Sequence, residues 1–182
     1  MSRHSRKLDI LLAAARVIAD KGIFNLTLET VAKEAGISKG GLLYHYDSKE
    51  KMIEDMVVYL TESYLCKIDE TVSEDKTQRG KWSRAFLDVT LNKANTKKIM
   101  NNSLLAAMAV NPKLMKPVQD AYGYWQDHLE HDGIDPVTAM IARLVADGIW
   151  LSQLLNINQL DQDMLDQVHK RLLLLIDRDD II

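Results

Sequence analysis

Cysteine, proline and glycine are scarce in this chain of 182 residues, and each scarcity excludes a class of protein. The one cysteine, Cys66, cannot form an internal disulfide, which argues against a disulfide-stapled fold and favours a reducing compartment. Three prolines and eight glycines, beside 47% hydrophobic residues, exclude a disordered or low-complexity chain. We therefore expect a globular protein in which Cys66 is buried as a small apolar side chain.

Long apolar runs are missing as well. The N-terminus, residues 1–7, is basic, but Asp9, Arg16 and Asp20 interrupt the apolar residues that follow, unlike the apolar stretch of a signal peptide. No segment approaches the roughly 18 apolar residues of a membrane span. We expect a cytoplasmic protein with no membrane partner.

Motifs for catalysis are also lacking. The sequence has no glycine-rich phosphate loop, nucleophile elbow or paired-carboxylate motif, so we expect neither an enzyme nor a cofactor. His128 and His131 are three residues apart and could share a helix face toward a metal. They lie in a polar stretch without a second ligand cluster, so a solvated helix end is the favoured interpretation and no metal site is predicted.

The net charge of −3 is distributed unevenly along the chain. Residues 1–51 carry nine Lys/Arg and six Asp/Glu, whereas the remainder carries 14 Lys/Arg and 20 Asp/Glu. A basic N-terminal part on an acidic body suggests a polyanionic partner for the N-terminal part alone. A mildly basic solvated surface would give the same count, so the charge alone leaves both interpretations open.

Helical periodicity extends over the chain, and no strand-like alternation occurs, so we predict an all-α fold of about nine helices. Capping residues mark the helix starts: Thr27, Ser38, Asp161, Asp135 before Pro136, and a possible capping box at Asp47-x-x-Glu50. The predicted helices span residues 5–21, 28–35, 38–46, 49–72, about 82–91, two that begin near Asn95-Thr96 and Asn111-Pro112, 136–156 and 161–178, with a tenth if Pro117 splits one.

Two short predicted helices, within residues 27–46, are joined by the turn Ala35-Gly36-Ile37-Ser38, as in a helix-turn-helix. Gly36 permits the left-handed backbone that this tight turn requires. Gly40 and Gly41 open the second helix at a cost of about 1 kcal/mol each relative to alanine, but they leave its first turn bare for close approach to another surface. An ordinary antiparallel helix pair is the alternative that spacing alone leaves open.

The run from Thr27 through Ala35-Gly36-Ile37-Ser38-Lys39-Gly40-Gly41 to Tyr46, followed by Ser48-Lys49-Glu50, resembles the DNA-binding signature of the tetracycline-repressor (TetR) family. The resemblance covers about residues 8 to 56. It implies a homodimer whose third helices enter successive major grooves of an operator in double-stranded DNA. It also implies a C-terminal helical domain that binds a small-molecule effector and dimerises.

The resemblance also implies roles for individual residues. Thr27 would contact phosphate, and Lys49 would hold a phosphate from the start of the fourth helix. Leu43 stands where many members have tyrosine, which removes a phosphate contact and leaves a side chain that could touch a thymine methyl group. The predicted DNA-binding residues are Thr27, Ser38, Lys39, Gly40, Gly41, Leu43, Tyr44, His45 and Lys49.

The C-terminal part contains a stretch, residues 137–151, that is apolar on nearly every side, which predicts one face in the core and another against a second subunit. A fully buried helix of a monomer is the alternative. The predicted dimer-interface residues are Ile141, Leu144, Val145, Gly148, Leu151, Val168, Leu172 and Leu175. Aromatic and methionine side chains between Trp82 and Trp150 could line an effector cavity, although core packing explains them equally well. The candidate effector-binding residues are Phe86, Met100, Leu104, Met108, Tyr122, Trp125 and Trp150.

The sequence thus predicts a helix-turn-helix DNA-binding domain over residues 1–48 and a ligand-binding and dimerisation domain over residues 49–182. The function that it favours is a ligand-responsive regulator, a repressor that binds a pseudo-palindromic operator as a dimer and is released by a small apolar or amphipathic effector. A helical dimeric adaptor, or a small-molecule-binding protein without DNA switching, is the alternative. An enzyme with a helical active site is disfavoured by the lack of a convergent acid, base or nucleophile set.

Overall fold

The computed structural model describes the backbone of residues 3–91 and 98–178, and it describes side chains within residues 6–91 and 103–178. These residues form nine α-helices and two short 3-10 helices, Ile23–Asn25 and Pro112–Met115, with no strand among them, which confirms the predicted all-α fold. The α-helices are α1 (Arg3–Lys21), α2 (Leu28–Glu34), α3 (Lys39–Leu43), α4 (Lys49–Glu74), α5 (Lys81–Leu91), α6 (Lys98–Val110), α7 (Lys116–Glu130), α8 (Pro136–Leu155) and α9 (Gln162–Asp177).

The helix starts follow the predicted caps at four places. Side-chain oxygens of Thr27, Ser38, Asp135 and Asp161 each accept a backbone N–H from the first turn of α2, α3, α8 and α9. At α4 the prediction of Asp47 was wrong, because the Ser48 hydroxyl accepts the N–H of Lys51 at 3.2 Å. Such caps satisfy donors that the first turn of a helix leaves unpaired.

Two predicted helices differ from those observed. The third helix, α3, ends at Leu43 instead of near Tyr46. The helix predicted from Asn111-Pro112 is divided: Pro112–Met115 is a 3-10 turn, and α7 begins at Lys116. Pro117 therefore lies in the first turn of α7, where a missing backbone donor costs nothing. The start predicted at Asn95-Thr96 lies outside the described residues.

The chain divides into two compact units: Met1–Glu62 with Thr96–Gln119, and Ser63–Asn95 with Asp120–Ile182. This division differs from the boundary expected after residue 48, because residues of α4 and α6 belong to the first unit. The core of the first unit is apolar, with α1 packed against α2 and α6. Its buried side chains include Ile10, Val17, Leu26, Val31, Leu42, Met52, Ile53, Met56, Val57 and Leu104.

In the second unit, α5 packs against α8 and α9 around a core that includes Phe86, Leu87, Trp125, Leu129, Leu172 and Ile176. The buried carboxylate of Asp132 accepts the backbone N–H groups of Trp82 at 3.0 Å and Ser83 at 2.7 Å, so the loop before α8 caps α5. The expectation that Cys66 is buried was wrong: it is exposed on α4, where Sγ lies 3.5 Å from a carboxylate oxygen of Glu70.

Helix α8 buries its small residues and exposes its large ones. Ala139, Ala142 and Ala146 face the core, whereas the opposite side carries exposed apolar residues at helical spacing. We call this side the α8 stripe: Val137, Ile141, Leu144, Gly148, Leu151 and Leu155. Among the described residues, α8 alone is long and apolar enough to cross a membrane by length and composition. An exposed apolar stripe of this kind marks a surface that another surface covers.

The predicted interface residues fall into two groups. Ile141, Leu144, Gly148 and Leu151 lie on the α8 stripe, and Leu175 is exposed on α9. By contrast, Leu172 is only 5% exposed and lies in the core, so its assignment to an interface needs correction. Val145 and Val168 are partly buried and pack against the same core. On α9 the spacing of Leu165, Leu172 and Ile176 sets the inward face.

Candidate nucleic-acid interface

The turn between α2 and α3 has the backbone that the sequence predicted. Gly36 has φ 66°, in the left-handed region that glycine adopts without steric cost. Its N–H donates to the carbonyl of Lys33 at 3.2 Å, and the N–H of Ile37 donates to that of Ala32 at 3.0 Å. These two bonds satisfy the end of α2 and direct the chain into α3.

One side of this helix pair is anchored in the first unit. Val31 and Ala32 of α2 and Leu42 of α3 are buried, and the ring of Tyr46 is buried directly after α3. Helix α3 has only five residues, so packing rather than intrinsic propensity must hold it. Leu42 and Tyr46 supply that packing and fix which face of α3 points outward.

The outward face carries most of the predicted DNA contacts. Lys39, Gly40, Gly41, Leu43 and Tyr44 are exposed, and His45 is half-buried with its ring edge-on to Tyr44 at 5.3 Å. No atom lies within 4 Å of a Cβ built at Gly40, so this glycine is not required by packing inside the chain. The helix start is therefore bare, as close approach of another surface requires.

Three of the predicted DNA-binding residues already form hydrogen bonds within the chain. The Thr27 hydroxyl oxygen accepts the N–H of Thr30 at 3.0 Å, and Ser38 Oγ accepts the N–H of Gly41 at 3.0 Å. Lys49 Nζ donates to the carbonyl of Ile23 at 3.3 Å. Thr27 thus ends the connection between α1 and α2, and the side chain of Lys49, from α4, bonds to the same connection.

Two exposed residues of the first unit were missed from the sequence. Glu29 forms an ion pair with Lys39, with 3.7 Å between Oε2 and Nζ, which places a carboxylate beside this predicted DNA-binding lysine. Phe24 is 95% exposed in the 3-10 helix before α2. The sequence offered one signal for this exposure. Phe24 does not continue the helical spacing of apolar residues in α1 or in α2, so neither helix directs its side chain into the core.

A charged network lies behind this surface in the first unit. The Asp55 carboxylate is 3.1 Å from Lys7 Nζ and 3.3 Å from Lys51 Nζ. Partial burial alone would raise the pKa of Asp55, but hydrogen bonds and charge from the two lysines outweigh burial and hold its pKa below the ordinary value. Burial, and then the Asp55 charge, raise the pKa of Tyr46. The network joins α1 to α4 beside the end of α3.

The candidate effector residues are divided between the two units. Phe86, Tyr122, Trp125 and Trp150 belong to the second unit, where Phe86 and Trp125 are buried and the other two are partly buried. Leu104 and Met108 belong to the first unit. Leu104 is buried and Met108 is 47% exposed, while the side chain of Met100 lies outside the described residues.

The histidines considered for a metal have other contacts. The Nδ1 atoms of His128 and His131 lie 2.8 and 2.7 Å from the carbonyls of Tyr124 and Asp127. The His128 ring also lies 4.0 Å from the ring of Trp82, centroid to centroid. No group of three or more His, Cys, Asp or Glu side chains suited to a metal occurs within the part of the chain that the structure describes.

A helix-turn-helix with one side packed in the core and its second helix exposed is the arrangement that DNA-binding regulators use to enter the major groove. The family described as bacterial regulatory proteins, tetR family, matches residues 10–56. The tetracyclin repressor-like C-terminal domain matches residues 80–177, more than half of the chain. The chain therefore belongs to the tetracycline-repressor family of transcriptional regulators.

Similarity to individual relatives covers less than half of the chain. The transcriptional repressor KstR2 of Mycolicibacterium smegmatis is 40% identical over 53 residues, which are 29% of this chain and 26% of KstR2. The nucleoid occlusion factor SlmA of Marinomonas sp. is 30% identical over 73 residues, 40% of this chain and 37% of SlmA. The matched segments thus span about a quarter to just over a third of these relatives.

Solved structures match along nearly the whole chain. A transcriptional regulator from Pseudomonas aeruginosa superposes with a TM-score of 0.72 at 18% identity, covering 95% of this chain and 90% of that protein. The multidrug binding protein EbrR, complexed with malachite green, gives a TM-score of 0.61 at 26% identity, covering 92% and 97%. The first likeness concerns the fold alone; the second extends it to a relative that carries a bound dye.

Proposed function

We propose that this regulator is a repressor that binds a pseudo-palindromic operator as a homodimer and is released by a small apolar or amphipathic effector. The observation that carries the proposal is the bare first turn of α3. Gly40 and Gly41 weaken a five-residue helix, and no contact inside the chain requires Gly40. Glycines at the start of an exposed helix let the backbone approach a groove of DNA closely. This close approach would explain why the helix carries two residues that lower its stability.

DNA binding is tested by selection from a random duplex library followed by binding isotherms. We expect enriched sequences with two symmetric half-sites whose centres lie about 10 base pairs, or a multiple, apart. The matched control is Gly40→Leu, which adds a side chain where the protein leaves open space and should abolish enrichment without unfolding the chain. Failure of the unaltered protein to enrich any sequence would contradict DNA binding and favour the adaptor alternative.

The homodimer is supported by the α8 stripe. Large apolar side chains on one side of α8, set opposite buried alanines, are what a helix between a core and a second subunit requires. A two-fold contact would place the stripe of one subunit against the same stripe of its partner. Gly148, near the centre of the stripe, would let the two helices approach closely. A dimer also presents two recognition helices, as a symmetric operator needs.

Effector control is supported by the aromatic residues of the second unit. The ring of Trp125 lies edge-on to Phe86 at 5.5 Å and to Tyr122 at 5.1 Å, centroid to centroid. EbrR, the dye-bound relative, covers nearly the whole chain at 26% identity. An effector would act by changing the separation of the two recognition helices, which must stay near one turn of DNA, about 34–36 Å. Effector and operator would then bind antagonistically, with the same coupling in both directions.

Thermal-shift screening of small aromatic compounds, followed by operator isotherms with and without each stabilising compound, tests the control. We expect at least one stabilising compound to weaken operator binding by about 1–3 kcal/mol, the usual range of such couplings. Operator should then weaken binding of that compound by the same factor. If every stabilising compound left operator affinity unchanged, effector control would be wrong while DNA binding could stand.

A further inference from the structure

Trp125 holds a polar atom in an apolar setting. The residue is 7% exposed on α7, and its ring lies edge-on to Phe86 and Tyr122, at interplanar angles of 70° and 66°. Its indole Nε1 is shielded from solvent and has no hydrogen-bond acceptor among the described residues. Buried donors in native proteins are nearly always paired, so this N–H calls for an explanation.

The polar side chains around Tyr122, which packs against Trp125, form hydrogen bonds and an ion pair with one another. The hydroxyl of Tyr122 donates to Asp147 Oδ1 at 2.8 Å. The guanidinium of Arg143 lies 3.4 Å from Asp147 Oδ2 and donates to the side-chain oxygen of Gln126. The Asp147 carboxylate is thus engaged by Tyr122 and Arg143. Because no acceptor among the described residues receives the Trp125 N–H, that donor is left for an acceptor supplied from outside the chain.

The cluster contains one positive and one negative side chain, Arg143 and Asp147, which pair with each other. Arg143 and Asp147 are on successive turns of α8, and each has about a fifth of its side chain exposed. A charged ligand would have to compete with the partner already present, and burying an unpaired charge is costly. A neutral ligand avoids that cost. The rings of Phe86, Tyr122 and Trp125 favour aromatic surface, which packs edge-on or offset against them.

We infer that the effector is a neutral, flat aromatic compound that carries a hydrogen-bond acceptor, and that this acceptor receives the indole N–H of Trp125. This inference rests on the proposed effector control and names the chemical class of the effector. The acceptor would be a carbonyl or ether oxygen or an aromatic nitrogen. Such a ligand satisfies a donor that the protein alone leaves unpaired, and a hydrocarbon of the same shape does not.

A matched pair of probes tests the inference directly: acetylnaphthalene and isopropenylnaphthalene substituted at the same ring position. The two compounds have closely similar size and shape, and only the ketone has an acceptor. Calorimetry with the full chain should give about two- to tenfold tighter binding of the ketone, the range expected for one neutral hydrogen bond. Equal affinities, or failure of both probes to bind, would overturn the inference.

Trp125→Phe keeps an aromatic ring and removes the N–H. In this variant the preference for the ketone should fall to about one, while the hydrocarbon binds within about twofold of its affinity for the unaltered protein. Trp82→Phe is the control, because Trp82 is a partly exposed tryptophan of the same unit whose ring packs on His128. It should retain the full preference. A preference that survives in Trp125→Phe would overturn the inference.

A heteronuclear NMR spectrum gives a readout that does not depend on the Trp125 variant folding. The chain has three tryptophans and so three indole N–H signals, which Trp82→Phe and Trp150→Phe assign by elimination. The Trp125 signal should move downfield with the ketone and little with the hydrocarbon. If the two probes moved it equally, the hydrogen bond would not exist.

The operator isotherm separates this inference from the proposed function. If the ketone binds through Trp125 and leaves operator affinity unchanged, the acceptor assignment stands and effector control fails. If stabilising compounds release the operator but show no dependence on an acceptor or on Trp125, effector control stands and the acceptor assignment fails.

Discussion

Lys49 Nζ donates a hydrogen bond to the carbonyl of Ile23 at 3.3 Å, so the lysine that opens α4 also holds the connection between α1 and α2. This connection precedes Thr27, the cap of α2. A phosphate bound by Lys49 would therefore lie beside the start of α2, where the helix dipole favours negative charge. One ammonium group would then serve both the fold of the first unit and its contact with DNA.

Replacement of Lys49 by alanine should weaken binding to all operator sequences about equally. Loss of one phosphate contact reduces the slope of log affinity against log salt by roughly one unit. Isotherms across a salt series measure this slope. Lys51→Ala is the matched control two residues away, because Lys51 already pairs with Glu54 at 2.7 Å and Asp55 at 3.3 Å. A slope that changes equally in both variants would refute a specific phosphate contact at Lys49.

Lys39→Ala should change which base is preferred at one position of each half-site. The Lys39 ammonium can donate to O6 and N7 of guanine, and we expect a loss of about 1–3 kcal/mol for the guanine-containing site. The measurement is a selection of bound sequences with both proteins. Lys33→Ala, an exposed lysine on α2, is the control. Unchanged preferences in Lys39→Ala would mean that this lysine contacts only the DNA backbone.

Leu144→Glu should dissociate the proposed dimer. Leu144 is 55% exposed on the α8 stripe, and a two-fold interface would bury two copies of it. At about 2 kcal/mol for each copy, the dimer dissociation constant should rise about a thousandfold. Sedimentation equilibrium measures this directly. Leu43→Glu, an exposed leucine of α3, should lose DNA binding yet remain a dimer; a dimer in both variants would exclude the α8 stripe as the interface.

The contribution of Asp55 to the free energy of unfolding should be lost in acid. The pKa of this carboxyl is lowered in the folded chain, so its contribution is present above the unfolded pKa, near 3.9, and disappears as pH falls through the folded value. Asp55→Asn should therefore destabilise the protein at neutral pH, by about 1 kcal/mol for a partly exposed ion pair. Urea unfolding should show this difference shrinking as the pH falls below the unfolded pKa of the carboxyl group. Glu54→Gln is the control, and a difference that persists at low pH would contradict the assignment.

Gly80→Ala should lower the free energy of unfolding much more than Gly133→Ala, although both glycines have nearly the same positive φ, 73° and 76°. A Cβ at Gly80 would lie 2.6 Å from Ile176 Cγ2, whereas one at Gly133 would have no atom closer than 3.5 Å. Backbone strain should cost each variant about 1–2 kcal/mol, and overpacking should add about 1–3 kcal/mol at Gly80 alone. Urea unfolding measures both. Equal losses of stability in the two variants would show that backbone strain alone accounts for the effect of both substitutions.

Local chemistry made much of the fold predictable. A cap needs only a side-chain oxygen and an N–H three residues later, so Thr27, Ser38, Asp135 and Asp161 could be recognised along the chain. The role of Gly36 could be recognised in the same way, because the turn itself requires a positive φ. The error at Asp47 was also local, since two adjacent residues could each cap α4 and only geometry selected Ser48.

The sequence by itself determined the order of helices, the helix-turn-helix and the bare face of α3, because periodicity and caps act over a few residues. Tertiary structure decided what each face meets. It turned Cys66 outward and Leu172 inward, paired Lys39 with Glu29 and Lys49 with the carbonyl of Ile23, and left the Trp125 N–H buried. Apolar spacing identifies a face but not its neighbour, because the neighbour is brought there by residues distant in sequence.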